Sequence, residues 1–328
     1  MADTQTTTAA PDSTTPAPVA TPAPGIYRNV PAAEYRAWDA INVSSLKPLI
    51  EKTAEHYYYE LTHPKPTTAA MVFGTTVHTR ILESEDDDED TMALRSLSAD
   101  GLEAYNKTVI NVTVGGPINP TTGKCYGPDS QKFKAWCDAQ GPGKIFLTTE
   151  QDAQLRGMHS RLMRDENIAG FIGKPGDENN ELSLLWIDDE TGLLCKARLD
   201  MWRPQGEAIG DLKTCRDASP AGFAGSIGKF RYHGQSAFYL DGARKLGMPA
   251  KHFIFIPVEK TAPYVPAMYR IQDGDVEIGR QQNRKALATI ADCRASGFWP
   301  GYDTGFADVG MKSYAAREML KELSTDFT

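Results

Sequence analysis

The chain has little cysteine and arranges none of it for metal. Cys125, Cys137, Cys195, Cys215 and Cys293 are scattered over 328 residues without a C-x-x-C pair, which argues against zinc and iron–sulfur sites. An odd cysteine count without a secretory leader fits a reducing compartment, so a cytoplasmic location is expected. No apolar run approaches the length that spans a bilayer, so no membrane partner is expected. The amino terminus lacks both the basic start and the apolar stretch of a leader. Its first 24 residues hold almost only Thr, Ala and Pro, with Met1 and Val19 the only large apolar side chains. Nothing there can offset the entropy of ordering, so residues 1–25 read as a disordered tail ahead of one large domain at 26–328. Helix-turn-helix, zinc-finger and repeat patterns are missing as well, which removes base-specific reading of DNA.

Positive charge is also scarce overall. The formal net charge is −8, unfavourable for a phosphate-binding chain, since such binding depends on clustered Lys and Arg. The acid is concentrated, however: residues 83–90 hold seven carboxylates in eight positions. Such a run reads as a solvated loop and leaves the remainder near neutral. Basic residues from Lys229 and Arg231 through Arg244, Lys245 and Lys251 to Arg280, Arg284 and Lys285 could line a local positive groove.

What is present has an α/β pattern. Helical spacing covers 32–62, 70–83, 149–168, 276–296 and 311–324, with Thr148 or Thr149 as a cap and Ser219-Pro220 opening a further helix. Strand-like runs lie at 181–187, 193–202, 207–213 and 252–258, and a punctuated insertion occupies about 84–147. Arg203-Pro204-Gln205-Gly206 reads as the loop of a hairpin. Alternation then places Arg198, Asp200 and Trp202 on one face of the first strand and Leu199 and Met201 on the other. Asp211 and Lys213 share a face of the second strand, so Arg198, Asp200, Asp211 and Lys213 fall on one patch. Two acids beside an ammonium suit metal-assisted phosphodiester hydrolysis with Mg²⁺ or Mn²⁺, although the same pattern also describes a solvated strand face.

Further residues stand around this trio in a set order. Gly74-x-x-x-His78 precedes Arg198-x-Asp200, then Asp211-x-Lys213-Thr214, then Gln235-x-x-x-Tyr239, with Asn42-Val43-Ser44-Ser45-Leu46-Lys47 upstream. As a set this resembles the RecE-type (exonuclease VIII) branch of the PD-(D/E)xK nuclease superfamily, over residues 35 to 255. The resemblance implies an α/β fold with a restriction-endonuclease-like core, a central mixed sheet flanked by helices. It implies that His78, Asp200, Asp211 and the Leu212 carbonyl bind the divalent metal and that Lys213 orients or activates water. Gln235 and Tyr239 would hold phosphate or brace Lys213, and Ser44 and Ser45 match a segment placed at DNA phosphate. It further implies a Mg²⁺-dependent 5′-to-3′ exonuclease on linear double-stranded DNA that leaves 3′ single strands for recombination. A homo-oligomeric ring around DNA, with a tetramer as its expected size, a single-strand annealing protein as partner, and a phage or prophage setting come with it.

Several residues keep two readings. Arg198 is either a solvated charge or a fork on a DNA phosphate; Glu181 is either a second-metal ligand or a solubilising charge on an edge strand. His78 alone would pass for a surface histidine, and the tyrosines at 57–59 for helix packing. Two other functions share the pattern: a structure-specific or RecB-like endonuclease of the same fold, and a catalytically silent DNA-binding scaffold.

Overall fold

The computed structural model describes residues 20–63, 68–83, 108–109, 112–140, 145–174, 176–302, 305–306 and 308–325. The acid run after Glu83 and the first 19 residues of the expected tail lie outside these. Along the chain come β1 (Gly25–Tyr27), α1 (Ala32–Ala37), a 3-10 turn at Val43–Leu46, α2 (Lys47–Glu51), α3 (Ala54–Thr62) and α4 (Ala69–His78). A π turn at Thr79–Glu83 follows, then β2 (Thr108–Val109), β3 (Val112–Val114), α5 (Gln131–Ala139), β4 (Ile145–Leu147), α6 (Thr149–Met163) and α7 (Glu166–Ile172). The second half holds β5 (Asn180–Ile187), β6 (Leu194–Arg203), β7 (Ala208–Cys215), α8 (Pro220–Phe230), α9 (Tyr232–Lys245), β8 (His252–Glu259), β9 (Tyr269–Arg270), α10 (Asp273–Ser296) and α11 (Ser313–Thr325).

Six strands form one mixed sheet in the order β1-β5-β6-β7-β8-β9, in which β7 and β8 run parallel and the other neighbours antiparallel. The hairpin expected at Arg203-Pro204-Gln205-Gly206 is there: a 3-10 turn spans Pro204–Gly206, and Glu207 closes it with a left-handed backbone. One face buries Trp186, Phe238, Phe253, Phe255 and Leu287 beneath α9 and α10. The opposite face packs Phe73, Val77, Met158, Leu162, Ile256 and Val258 from α4, α6 and β8. A buried side chain of this size contributes about 1.5–3 kcal/mol, so two such layers clamp the sheet rigidly between helices. Part of the 84–147 insertion forms a separate sheet of β2, β3 and β4.

Three expectations need correction. The helix read over 32–62 is three short helices and a turn. Trp38 leaves α1 in extended conformation, held edge-on by Tyr27 and Tyr35 at 5.4 and 5.5 Å; Asn42 and Thr53 then each cap a new start. The buried Lys196 secures the first break, donating from Nζ to the carbonyls of Tyr35, Arg36 and Trp38 at 2.9, 3.1 and 2.6 Å. The helix read over 149–168 opens with a capping box at Thr148 but divides where the Asp165 carboxylate takes the N–H groups of Asn167 and Ile168. Finally, the amino-terminal tail ends earlier than expected: Gly25 already pairs with Leu185, and the Thr21 hydroxyl accepts the Asp39 N–H at 2.7 Å.

Candidate metal centre

Strand register brings three carboxylates to one level of the sheet. Pairing of Asn180 with Met201 and of Leu182 with Leu199 puts Glu181 opposite Asp200, and pairing of Met201 with Gly210 puts Asp211 next in the row. At this level the side-chain alternation breaks. Leu199 and Trp202 both join the α9–α10 side, while Met201 joins the opposite one, so the expectation that Leu199 and Met201 share a face fails. Glu181 carries a left-handed backbone with φ 51°, which costs an L-residue about 1–3 kcal/mol and persists only where the surroundings hold it. With both strands changing face here, the Asp200 carboxylate turns into the gap toward β7 and accepts the Leu212 N–H at 2.8 Å.

His78 ends α4 immediately before the π turn, the kind of irregular helix end often found at functional sites. Its Nδ1 lies 3.3 Å from Asp200 Oδ2 and 3.9 Å from Glu181 Oε1. The three donor atoms lie within 4.8 Å of one another, the group suited to a cation among the described residues. Burial pushes the imidazole down in pKa, but the Asp200 and Glu181 carboxylates outweigh it and raise the group to about 9. Burial also raises Asp200, yet His78, Lys213 and the Leu212 N–H together hold it below the usual carboxylate range. The pocket therefore calls for positive charge at the point between these groups. One imidazole nitrogen with hard carboxylate oxygens fits an open divalent-cation site of the Mg²⁺ or Mn²⁺ type.

Beside this cluster stands a second constellation. Lys213 Nζ sits 2.5 Å from Asp211 Oδ1 and 5.0 Å from the centre of the Tyr232 ring. Burial works against the ammonium, but Asp211 and Asp200 more than compensate, so Lys213 stays charged. Asp211 is pushed up to about 6, chiefly by burial, with the Lys213 charge opposing and the Asp200 charge adding. Gln235 of α9 donates from Nε2 to Asp211 Oδ1 at 2.8 Å, one helical turn before Tyr239. Tyr239 hydrogen-bonds Gln235 and is driven well above the ordinary phenol value by burial, with Tyr35, Asp211 and Asp200 adding to it.

The remaining candidates separate. Glu181 is no solubilising charge: its side chain is largely buried, pairs with Arg198 and faces His78; it belongs to the cluster. Arg198 is not solvated: its Nε donates to Glu181 Oε2, its Nη1 to the Val30 carbonyl at 2.8 Å, and its guanidinium lies over the Tyr35 ring. Ser44 and Ser45 are occupied locally, each hydroxyl donating to Asn42 at 2.7 Å. The basic residues expected to line a groove are largely neutralised. Lys245 pairs with Asp189, Lys251 with Glu207, Arg280 with Asp241 and Glu277, and Arg284 with Asp188. Tyr232, beside Lys213, and Tyr35, under Arg198, also border the centre without belonging to the motifs of the sequence. Tyr232, three residues before Gln235 on the same helical face, could have been found by that spacing; Tyr35 lies far from the site in sequence and carried no local signal.

Comparison with known proteins agrees with this fold. Residues 42–309 match a family described as a PDDEXK-like domain of unknown function (DUF3799). The crystal structure of a "Putative exonuclease" from Eubacterium rectale superimposes with a TM-score of 0.50 at 12% identity, covering 84% of this chain and 91% of that one. No curated protein matches. The mixed sheet flanked by helices is thus the PD-(D/E)xK core, and the chain belongs to the DUF3799 family of PDDEXK-like domains.

Proposed function

We propose that the chain is a divalent-metal-dependent deoxyribonuclease, and that it is an exonuclease working 5′ to 3′ from the ends of linear double-stranded DNA. The observation that carries the hydrolytic reading is the group of His78, Glu181 and Asp200 standing directly beside the Asp211–Lys213 pair. His78, Glu181 and Asp200 would hold the cation. The Leu212 carbonyl leaves its strand on the same side as the N–H bound by Asp200, and Asp211 Oδ2 is the oxygen less engaged by Gln235 and Lys213, so both can complete the ligand set. A Mg²⁺ or Mn²⁺ ion bound there supplies Lewis-acid polarisation of a phosphate oxygen and acidification of water.

The protein's own groups then have defined tasks. Lys213, kept charged and oriented by Asp211, places an ammonium where negative charge grows on the phosphate. Gln235 fixes Asp211 from the helix side, and Tyr239 fixes Gln235. Arg198 holds one oxygen of Glu181 so that the other faces His78, which makes it a positioning residue rather than a contact to DNA. End-dependence, polarity, production of 3′ overhangs for recombination, ring assembly and a single-strand annealing partner are supported by the RecE-type resemblance.

Duplex DNA labelled at either the 5′ or the 3′ terminus, digested with Mg²⁺ or Mn²⁺, tests the reading. Early release of the 5′ label, survival of closed circles and arrest by chelator are expected. Cleavage of closed circles would instead indicate an endonuclease of the same fold. Intact DNA with either ion under all conditions would leave the scaffold reading.

A further inference from the structure

A second polar cleft lies away from the carboxylates, between the α2–α3 junction and α10, with a volume of about 450 Å³. Its walls include Lys52, Thr53, Gln282, Lys285 and Thr289, with Pro300 and Gly301 at one side and no carboxylate in the lining. Neither lysine has an acidic partner among the described residues, unlike the basic residues around Asp188 and Asp241. Glu51 pairs with Lys47 at 3.8 Å, and the Glu55 carboxylate borders the cleft at Gly301. An aromatic rim adjoins the cleft. Thr53 Oγ1 is 2.6 Å from His56 Nδ1, and the His56 ring meets Tyr302 edge-on at 5.7 Å. Tyr302 is 68% exposed, so one face of its ring is open. Gln282 in the cleft wall accepts a hydrogen bond from Arg231 at 2.8 Å and contacts His233 at 3.0 Å, at the start of the helix that carries Gln235.

Two free ammonium groups, neutral hydrogen-bonding walls and an open aromatic face are the parts from which single-stranded nucleic-acid sites are built, phosphates on the cations and a base on the ring. We propose that this cleft binds a nucleotide of single-stranded DNA, with Lys52 and Lys285 on backbone phosphates and Tyr302 stacking a base. It rests on the nuclease reading in that the bound strand is substrate or product of the same enzyme.

The test uses the full chain carrying Asp200→Asn, to prevent cleavage, and a fluorescein-labelled ten-nucleotide oligothymidylate followed by anisotropy. Adding Lys52→Ala and Lys285→Ala weakens binding at least about tenfold and flattens the dependence of log affinity on log salt by about 1.4, the contribution of two phosphate contacts to a single strand. Tyr302→Ala alone weakens binding about tenfold with the salt slope unchanged. Thermal melting checks that each variant is folded. Unchanged affinity and slope in the folded lysine variant would overturn the proposal, as would an equal loss with a blunt duplex, which would assign the cleft to the duplex path. Altered sedimentation with unchanged oligonucleotide binding would assign it to a second copy and overturn it too. If the wild-type protein cuts no DNA yet the lysine variant loses oligonucleotide binding, the nuclease reading fails and the cleft stands; cutting with unaltered binding is the reverse.

Discussion

At the scale of single residues, the centre is a set of opposing charges that burial makes strong. Glu181 and Asp200 face one another across adjacent strands, and their separation is tolerable because His78 and Arg198 stand against them from two sides. Removing the outer support should therefore damage the site without touching a ligand. Arg198→Met is expected to lower metal-dependent cleavage about 10- to 100-fold, the usual effect of losing a group that orients a ligand, and to shift the metal titration to higher concentration. Arg198→Lys should recover little, since a lysine lacks the separate Nε and Nη1 donors of the rigid guanidinium fork that reach Glu181 and the Val30 carbonyl in different directions. A full rate at unchanged metal demand would contradict the positioning role. Lys213→Met should retain calorimetric binding of Mn²⁺ while cleavage falls by about 100-fold or more; loss of metal binding with normal turnover would refute its assignment.

At the scale of elements, α9 and α10 approach so closely at Gly279 that a side chain is excluded from that point of the contact. A Cβ at Gly279 of α10 would run into the His233 carbonyl of α9. Backbone cannot yield as a flexible side chain can, so Gly279→Ala should destabilise by about 1–3 kcal/mol in urea denaturation. An unchanged midpoint would show that the helices separate more easily than the geometry implies. The same helix is tied to the turn between β5 and β6 by Arg284, which pairs with the buried Asp188. Burial raises the Asp188 pKa, but Arg284 and Thr191 outweigh it and hold the carboxyl below its ordinary 3.8. A depressed carboxylate contributes stability above the unfolded value and loses it as pH falls through the folded one. Arg284→Met should therefore cost about 1–3 kcal/mol at pH about 7, and the difference from wild type should narrow below about pH 3.8. A gap that widens on acidification would reverse the assigned sign.

At the scale of the whole molecule, the sheet needs its first strand. β1 lies along β5, and Tyr27 supports Trp38, whose carbonyl receives Lys196. Deleting residues 1–19 should leave melting temperature and cleavage unaltered. Deletion through residue 27 removes the Thr21–Asp39 bond, β1 and the Tyr27 ring together. It should destabilise by about 1–2 kcal/mol, less than the worth of a fully buried aromatic side chain because Tyr27 is partly buried, and lower activity by loosening Arg198 through Val30. Equal behaviour of the two truncations would show that the strand is dispensable.

The sequence by itself determined the elements whose signal is local. The four long strands came within a residue or two of their observed ends because apolar alternation and the Pro204–Gly206 turn are properties of neighbouring residues. Asp211 and Lys213 were legible as neighbours from strand periodicity, and Gln235 beside them only through the order of motifs that carries the RecE-type resemblance. Only the tertiary structure decided that Glu181 joins Asp200, since that depends on register across β5 and β6 and on a change of face that simple alternation does not contain. It also decided that Arg198 holds Glu181 and that Lys245, Lys251, Arg280 and Arg284, half of the expected groove cations, are spent on carboxylates far away in the chain. Periodicity describes which way a side chain leaves its own strand; what it meets there is set by the other segments that the core brings against it.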